Sequence, residues 1–352
     1  MKKRRVTTHN MNSIAFAKKN NIEWLRLAFA LQVVIGHASL HLGGRIPKII
    51  GYFPGVPAFF FVSGFLIYAS YLNAPGVRYF QNRFLRLFPG LLFVSVGAIA
   101  VALLAHGFHD LSDHPNIYIS WLLAQLTLGQ AYNPVLFRDV GVGVLNGALW
   151  TLTTEILFYL IVPVIVRLER QFKHALPALI VLSLIVYVAG PVFLSTPIRG
   201  GKTIYDFLAL TPLVWGWMFG FGILAVKYFQ DIQRWIRYFP LAAIPMGVMI
   251  YAGGGLLFGV DGNRLGVAYF VCYVCIIFWL AFSTPYLPLK TDISYGTYIW
   301  HGPVTNFLLV LGLSNMITAL ALTMAIAVVS WYLAEAPALR LKRESIKPVS
   351  HI

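Results

Sequence analysis

The chain has 352 residues, of which 59% are hydrophobic and 11% charged, with a mean hydropathy of +0.74. Soluble domains carry about 25% charged residues, so a soluble enzyme is excluded, and two cysteines are too few for a disulfide scaffold. Lys and Arg total 27 against 12 Asp and Glu, a formal net charge of +15, and so little charge among so many large apolar side chains also excludes disorder.

Windows of about 20 apolar residues predict spanning helices. They fall at 22–42, 56–73, 89–106, 148–166, 175–194, 207–226, 239–258, 265–283, 294–312 and 315–334. The expected fold is all-α: a polytopic integral membrane protein of about ten transmembrane helices with both termini cytoplasmic. A basic tail (1–21) precedes the membrane domain (22–338), and a second basic tail (339–352) follows it. The stretch 118–137 is interrupted by Gln125, Gln130, Asn133 and Pro134 and is expected as an interfacial or re-entrant piece on the outer side. With the N-terminus inside, twenty of the 27 positive charges lie in cytoplasmic pieces. Six lie outside, at Arg45, Lys48, Arg138, Arg199, Lys202 and Arg264, and Arg26 alone lies within a span. That bias is the positive-inside pattern, and positives scattered over loops and tails argue against nucleic acid. The basic N-terminus is not expected as a signal peptide, because the apolar run after it holds Arg26 and His37 and no small-residue cleavage site follows.

The outer segment holds His106, His109, Asp110, Asp113 and His114. Such residues can bind metal, but outer loops carry them for being wet, and no metal is expected. Cys272 and Cys275 are expected as packing residues within span eight. The Ser63-Gly64 step in the aromatic run Phe59–Phe65 is expected to mark close helix packing.

Charge near the bilayer centre costs from about 3 to over 10 kcal/mol, so intramembrane ionisable groups point to function. They are Arg26 and His37 in span one, Glu155 in span four and His301 in span nine, with Glu335 at the inner end of span ten. Arg26 and His37 are eleven residues apart, which is close to three helical turns, so they share a face about 16 Å apart along the axis. His37, Glu155 and His301 fall at similar depths, and a His–carboxylate pair is the minimal apparatus for taking a proton from a hydroxyl. The structural alternatives are a snorkelling Arg26 and interhelix hydrogen bonds. The inner loop after span two carries Arg83 and Arg86, three apart. Two guanidinium forks suit phosphates, although ordinary positive-inside charge has the same appearance.

These segments, in this order, resemble the membrane acyltransferase 3 family. The likeness runs through Arg26-x10-His37, Phe59-Phe60-Phe61-Val62-Ser63-Gly64-Phe65, Arg83-Phe84-Leu85-Arg86-Leu87-Phe88-Pro89 and Leu149-Trp150-Thr151-Leu152-Thr153-Thr154-Glu155 with Tyr159 and Pro163. It continues through Ile293-Ser294-Tyr295-Gly296-Thr297-Tyr298-Ile299-Trp300-His301-Gly302-Pro303 and ends at Glu335-Ala336-Pro337. Departures from the family pattern are Thr151 in place of Ser, Gly302 in place of an aromatic, and Ala336 in place of a basic residue.

The resemblance implies about ten helices and transfer of an acyl group, commonly acetyl from acetyl-CoA, to an extracytoplasmic acceptor. That acceptor would be a carbohydrate, as a surface polysaccharide or lipid-linked glycan, in a bacterial inner membrane. On this expectation Arg83 and Arg86 dock the phosphates of cytoplasmic acetyl-CoA. His37 takes the acceptor proton, Glu155 orients the imidazole, and Arg26 clamps coenzyme A or holds its helix. His301 is the weaker candidate, as a second proton carrier. A proton-coupled transporter or flippase of a lipid-linked glycan would place His and Glu in the membrane in the same way.

Overall fold

The computed structural model describes residues 20–344 apart from 199, 200, 256 and 290. Most of the two basic tails therefore lies outside the described residues. The main helices in chain order are α1 (Ile22–Leu42), α2 (Gly55–Asn73), α3 (Val77–His106), α4 (Pro115–Gln125), α5 (Trp150–Gln171), α6 (Ala175–Phe193) and α7 (Pro212–Lys227). After them come α8 (Phe229–Trp235), α9 (Ala243–Ala252), α10 (Val267–Phe282), α11 (Ser294–Val310), α12 (Met316–Ser330) and α13 (Ala336–Glu344). A π-helical turn, Trp331–Glu335, joins the last two. Two-residue strands at Val260–Asp261 and Arg264–Leu265 are the only sheet among the described residues.

The all-α membrane class is therefore seen. Seven helical stretches among the described residues are long and apolar enough to cross a bilayer. They are Ile22–Leu42, Lys48–Asn73, Val77–His106, Gly147–Gln171, Ala175–Phe193, Phe229–Ala252 and Met316–Leu341. Of the other three expected spans, α7 and α10 are apolar but have 16 residues each, about 24 Å of rise against a hydrocarbon core of about 30 Å. The third, α11, has 17 residues, 13 of them buried. Span six starts late because Thr211 caps α7, accepting from the Leu213 N–H, with Pro212 at its first position. Span seven is cut short where Gly253, Gly254 and Gly255 all adopt positive φ, the left-handed backbone that ends helices.

The chain forms two compact units. One consists of Lys48–Gly76 and Leu157–Lys290 with the chain up to Phe29; the other consists of Ala30–Pro47, Val77–Ile156 and the chain from Thr291 onward. In the first unit α2 and α7 pack backbone to backbone. A Cβ on Gly64 would lie 2.0 Å from the Phe219 carbonyl oxygen, and one on Gly222 would lie 2.1 Å from that of Phe61. Only glycine permits this approach, as the Ser63-Gly64 step predicts. Phe158 stacks on Phe219 at 3.9 Å beside the contact. Cys272 and Cys275 are free thiols.

In the second unit α3 is continuous for 30 residues. The expected inner loop carrying Arg83 and Arg86 is therefore helix, and Pro89, expected at the start of a span, sits inside it. Its glycines face α11. Cβ atoms on Gly90 and Gly97 would meet the Tyr295 and Trp300 rings at 2.7 and 2.4 Å. The stretch 118–137 is not a span. Its helix, α4, has only 11 residues and follows α3 after a five-residue helix, His109–Asp113. Tyr118 and Trp121 pack with Ala98, Ala102, Leu103 and Phe137.

Candidate functional site

The site lies within the second unit and is assembled from α1, α5 and α11. His37 on α1 places its Nδ1 2.8 Å from Nε2 of His301 on α11. The Nδ1 of His301 is 2.5 Å from the Tyr298 carbonyl oxygen, one turn earlier on the same helix. The Tyr298 hydroxyl is 2.7 Å from Thr151 Oγ1 at the start of α5, and it donates to the Ala148 carbonyl at 3.2 Å. Two asparagines fix the segment before α5 onto α11. Asn146 Nδ2 donates to the Ile299 carbonyl, and Asn306 donates to the Val144 and Leu145 carbonyls.

The chemistry of these contacts sets the proton positions for the neutral pair. A backbone carbonyl only accepts, so His301 carries its hydrogen on Nδ1. Its Nε2 is then an acceptor, so His37 donates from Nδ1 and is left with a lone pair on Nε2. The two rings differ in access. His301 is only 2% exposed, whereas His37 is exposed. The pair thus consists of a buried imidazole that orients an accessible one, whose outer nitrogen is basic.

Sequence reasoning brought His37, Glu155 and His301 to one depth and expected Glu155 to orient His37. In the structure the group at His37 Nδ1 is His301. Glu155 is half-buried and lies one turn after Thr151 on α5. Arg26 lies on α1, about 16 Å along the axis from His37, and is half-buried. Tyr298 and Thr151 were missed as contributors. The signal available for Tyr298 was its i, i+3 spacing to His301, which places both on one helix face.

Arg83 and Arg86 are on α3, about one turn apart as expected, but Arg86 forms an ion pair with Asp292. Asp292 also accepts from the backbone N–H (3.3 Å) and the hydroxyl (2.5 Å) of Ser294, at the first turn of α11. Arg86 therefore holds the start of the helix that carries His301. Beside it, a cavity of about 500 Å³ opens at the beginning of α3, with Arg78, Gln81, Asn82 and Phe84 in its wall.

The His and Asp residues at and after the end of α3 associate with one another. His106 places Nδ1 3.1 Å from Asp110 and Nε2 3.1 Å from Asp139, and Tyr118 donates to Asp110 at 2.6 Å. Burial alone would raise the Asp110 carboxyl, but the bonds from Tyr118 and His106 outweigh it and hold it below its ordinary value. Among the described residues no group of three or more His, Cys, Asp and Glu is arranged to hold a metal.

The acyltransferase domain profile of the acyltransferase 3 family matches residues 19–335. The chain belongs to this family. His37, His301, Tyr298 and Thr151 all fall inside the matched stretch, as do Arg26, Arg83, Arg86 and Glu155. Among relatives, the chain is 29% identical to nodulation protein 10 of Rhizobium leguminosarum bv. viciae, over 94% of this chain and 96% of that protein. It is 25% identical to the O-acetyl transferase of Shigella phage Sf6, over 82% and 85% respectively. No solved structure matches it. Family membership and the apolar helices make this an integral membrane acyltransferase.

Proposed function

We propose that this acyltransferase moves an acetyl or other short acyl group from cytoplasmic acyl-CoA to a hydroxyl of an extracytoplasmic glycan. The observation that carries the proposal is the His37–His301–Tyr298 chain, which leaves a lone pair on His37 Nε2 at an accessible ring. The acceptor hydroxyl gives its proton to His37 Nε2 while its oxygen attacks the thioester carbonyl. His301 accepts from His37 Nδ1 throughout and stabilises the imidazolium as it forms. The tetrahedral intermediate then collapses, the C–S bond breaks, and His37 returns the proton to the leaving thiolate. The products are an O-acyl ester and free coenzyme A.

Glu155, one turn after Thr151 on α5, stabilises the His37 cation in this scheme. Arg83 binds the donor phosphates together with Arg78 in the wall of the nearby cavity, and Arg86 contributes by holding Asp292. Arg26 clamps coenzyme A or steadies α1. Ten spans with both termini cytoplasmic, in a bacterial inner membrane, would put donor and acceptor on opposite sides of the site. A phage O-acetyl transferase among the relatives supports acetyl as the transferred group.

The test is to incubate the purified full chain in nanodiscs with labelled acetyl-CoA and envelope glycans, and to measure ester and free thiol together. His37→Ala should insert normally and lose both products. Near-wild-type turnover in that variant would overturn the assignment, and glycan movement without thiol release would favour a transporter.

A further inference from the structure

His37 has a second histidine beside it. His41 lies four residues further along α1, so the two share a face, about 6 Å apart along the axis. Their rings meet edge to face with centroids 6.2 Å apart. The His301 ring also lies against His37, at 4.9 Å, and accepts its Nδ1 hydrogen. His41 is exposed, and among the described residues no hydrogen bond engages its nitrogens. The chain of contacts from His37 to Thr151 does not include it.

The burial of α1 shows what this face meets. Ala38 and Leu42 are buried against Val304, Leu308 and Ala319 of α11 and α12, which fixes the opposite side of the helix. From Ala30 to Gly36 no residue is exposed, whereas His37, Leu40, His41, Gly43 and Gly44 are. A Cβ added at Gly36 or Gly43 would meet nothing within 4 Å. The open face thus begins at His37 and runs past His41 to the end of the helix. α1 is long and apolar enough to cross a bilayer, and ionisable side chains in such helices face protein or water rather than lipid. Two imidazoles one turn apart therefore mark this face as the wet approach to His37.

We propose that His41 is a specificity-determining residue that binds the hydroxyl next to the one attacked, so that the acceptor is a vicinal diol. The proposal rests on the acyltransferase reading above. A neutral imidazole has one donor and one acceptor nitrogen, and a hydroxyl can meet either. His37 Nε2 takes the hydrogen of the reacting hydroxyl. A hydrogen bond of about 2.8 Å to each ring leaves room for two adjacent oxygens between rings 6.2 Å apart. A basic group in the last turn of α1 also suits the helix dipole, but that role is indifferent to the acceptor.

The test uses full chain in nanodiscs, as wild type, His41→Leu and His41→Gln. The probes are the methyl glycosides of glucose and galactose with their 2-, 3- and 4-deoxy forms. Binding is read by saturation-transfer NMR, transfer by thiol release from acetyl-CoA, and the acetylated position by NMR of the product. In the wild type, removing a hydroxyl beside that position should lower kcat/KM about tenfold. In His41→Leu that preference should fall to about unity, and His41→Gln, which keeps a donor and an acceptor, should restore most of it. The KM for acetyl-CoA and the thermal midpoint should hold. The proposal is overturned if no glycoside binds, if the acetylated position has no hydroxyl beside it, or if the preference persists in His41→Leu. It is also overturned if His41→Leu slows the parent and deoxy forms alike, which is the signature of an effect on His37 or on the fold. Binding that falls on deoxygenation in the wild type but not in His41→Leu, without thiol release, would uphold the diol contact and refute acyl transfer instead.

Discussion

If His301 acts on the reaction only through His37, removing both residues should cost no more than removing His37. General base catalysis contributes about 10²–10⁴-fold, so His37→Ala is expected to lose about 10³ in turnover. His301→Leu deletes the acceptor 2.8 Å from His37 Nδ1. The bond strengthens when His37 becomes an imidazolium, and a hydrogen bond to a charged group is worth about 1.5–3 kcal/mol, or roughly 10- to 150-fold. The double variant should match His37→Ala within a few-fold, whereas independent contributions would multiply to about 10⁴–10⁵. His301→Gln keeps an acceptor oxygen near the same place and should recover activity to within about tenfold of wild type. The assay is thiol release under saturating donor and acceptor, with the thermal midpoint of each variant in nanodiscs as the control for folding. A double variant at the product of the two single losses would refute the chain of roles, and so would a fully active His301→Leu.

Arg86→Ala should lower the thermal midpoint, by about 2–3 kcal/mol in stability, because it leaves a mostly buried Asp292 unpaired. Adding Asp292→Ala should recover part of the loss, whereas an effect confined to the donor KM would show that Arg86 serves coenzyme A alone. Gly64→Ala and Gly222→Ala should each destabilise the α2–α7 contact by about 3 kcal/mol or abolish expression, since the new methyl would overlap a backbone carbonyl; folded protein with an unchanged midpoint would contradict the close approach. Asp206, in the capping box that starts the short helix Ile204–Leu208, is held below its ordinary carboxylate value, chiefly by the Thr203 backbone N–H. A lowered folded value means the stabilisation is complete above the ordinary value of 3.8 and is lost as pH falls through the lowered one. The wild type should therefore lose its stability advantage over Asp206→Asn only in that acid range, as read from midpoints measured against pH.

The helical class was legible because the apolar runs are long and their interruptions few. The ends of helices were less legible, for local reasons. Arg83, Arg86 and Pro89 look like an inner loop followed by a helix start, since proline favours a first turn. In the structure α3 runs through all three. Tyr295 and Trp300 pack against Gly90 and Gly97 on either side of the contact with α11, and tertiary packing of that kind overrides the local preference of a single residue. At 253–255 the opposite happened. Average hydropathy carried the expected span across three glycines whose positive φ ends the helix.

The site shows the same division between what one helix reveals and what two helices decide. Scarcity of charge picked out His37 and His301, because an ionisable group in a bilayer needs a reason to be there. Helical rise gave their depth, but depth has no azimuth, and a carboxylate seemed the natural partner for an imidazole. The azimuth comes from contacts that hydropathy does not encode: Asn146 and Asn306 fasten the 142–149 segment to α11, and Asp292, paired with Arg86, accepts from Ser294 at the start of that helix. With α11 so placed, His301 faces His37. The Tyr298 carbonyl then settles which nitrogen of each ring holds a proton. A neutral histidine anchored by a backbone carbonyl orients the base without placing a charge against its Nδ1.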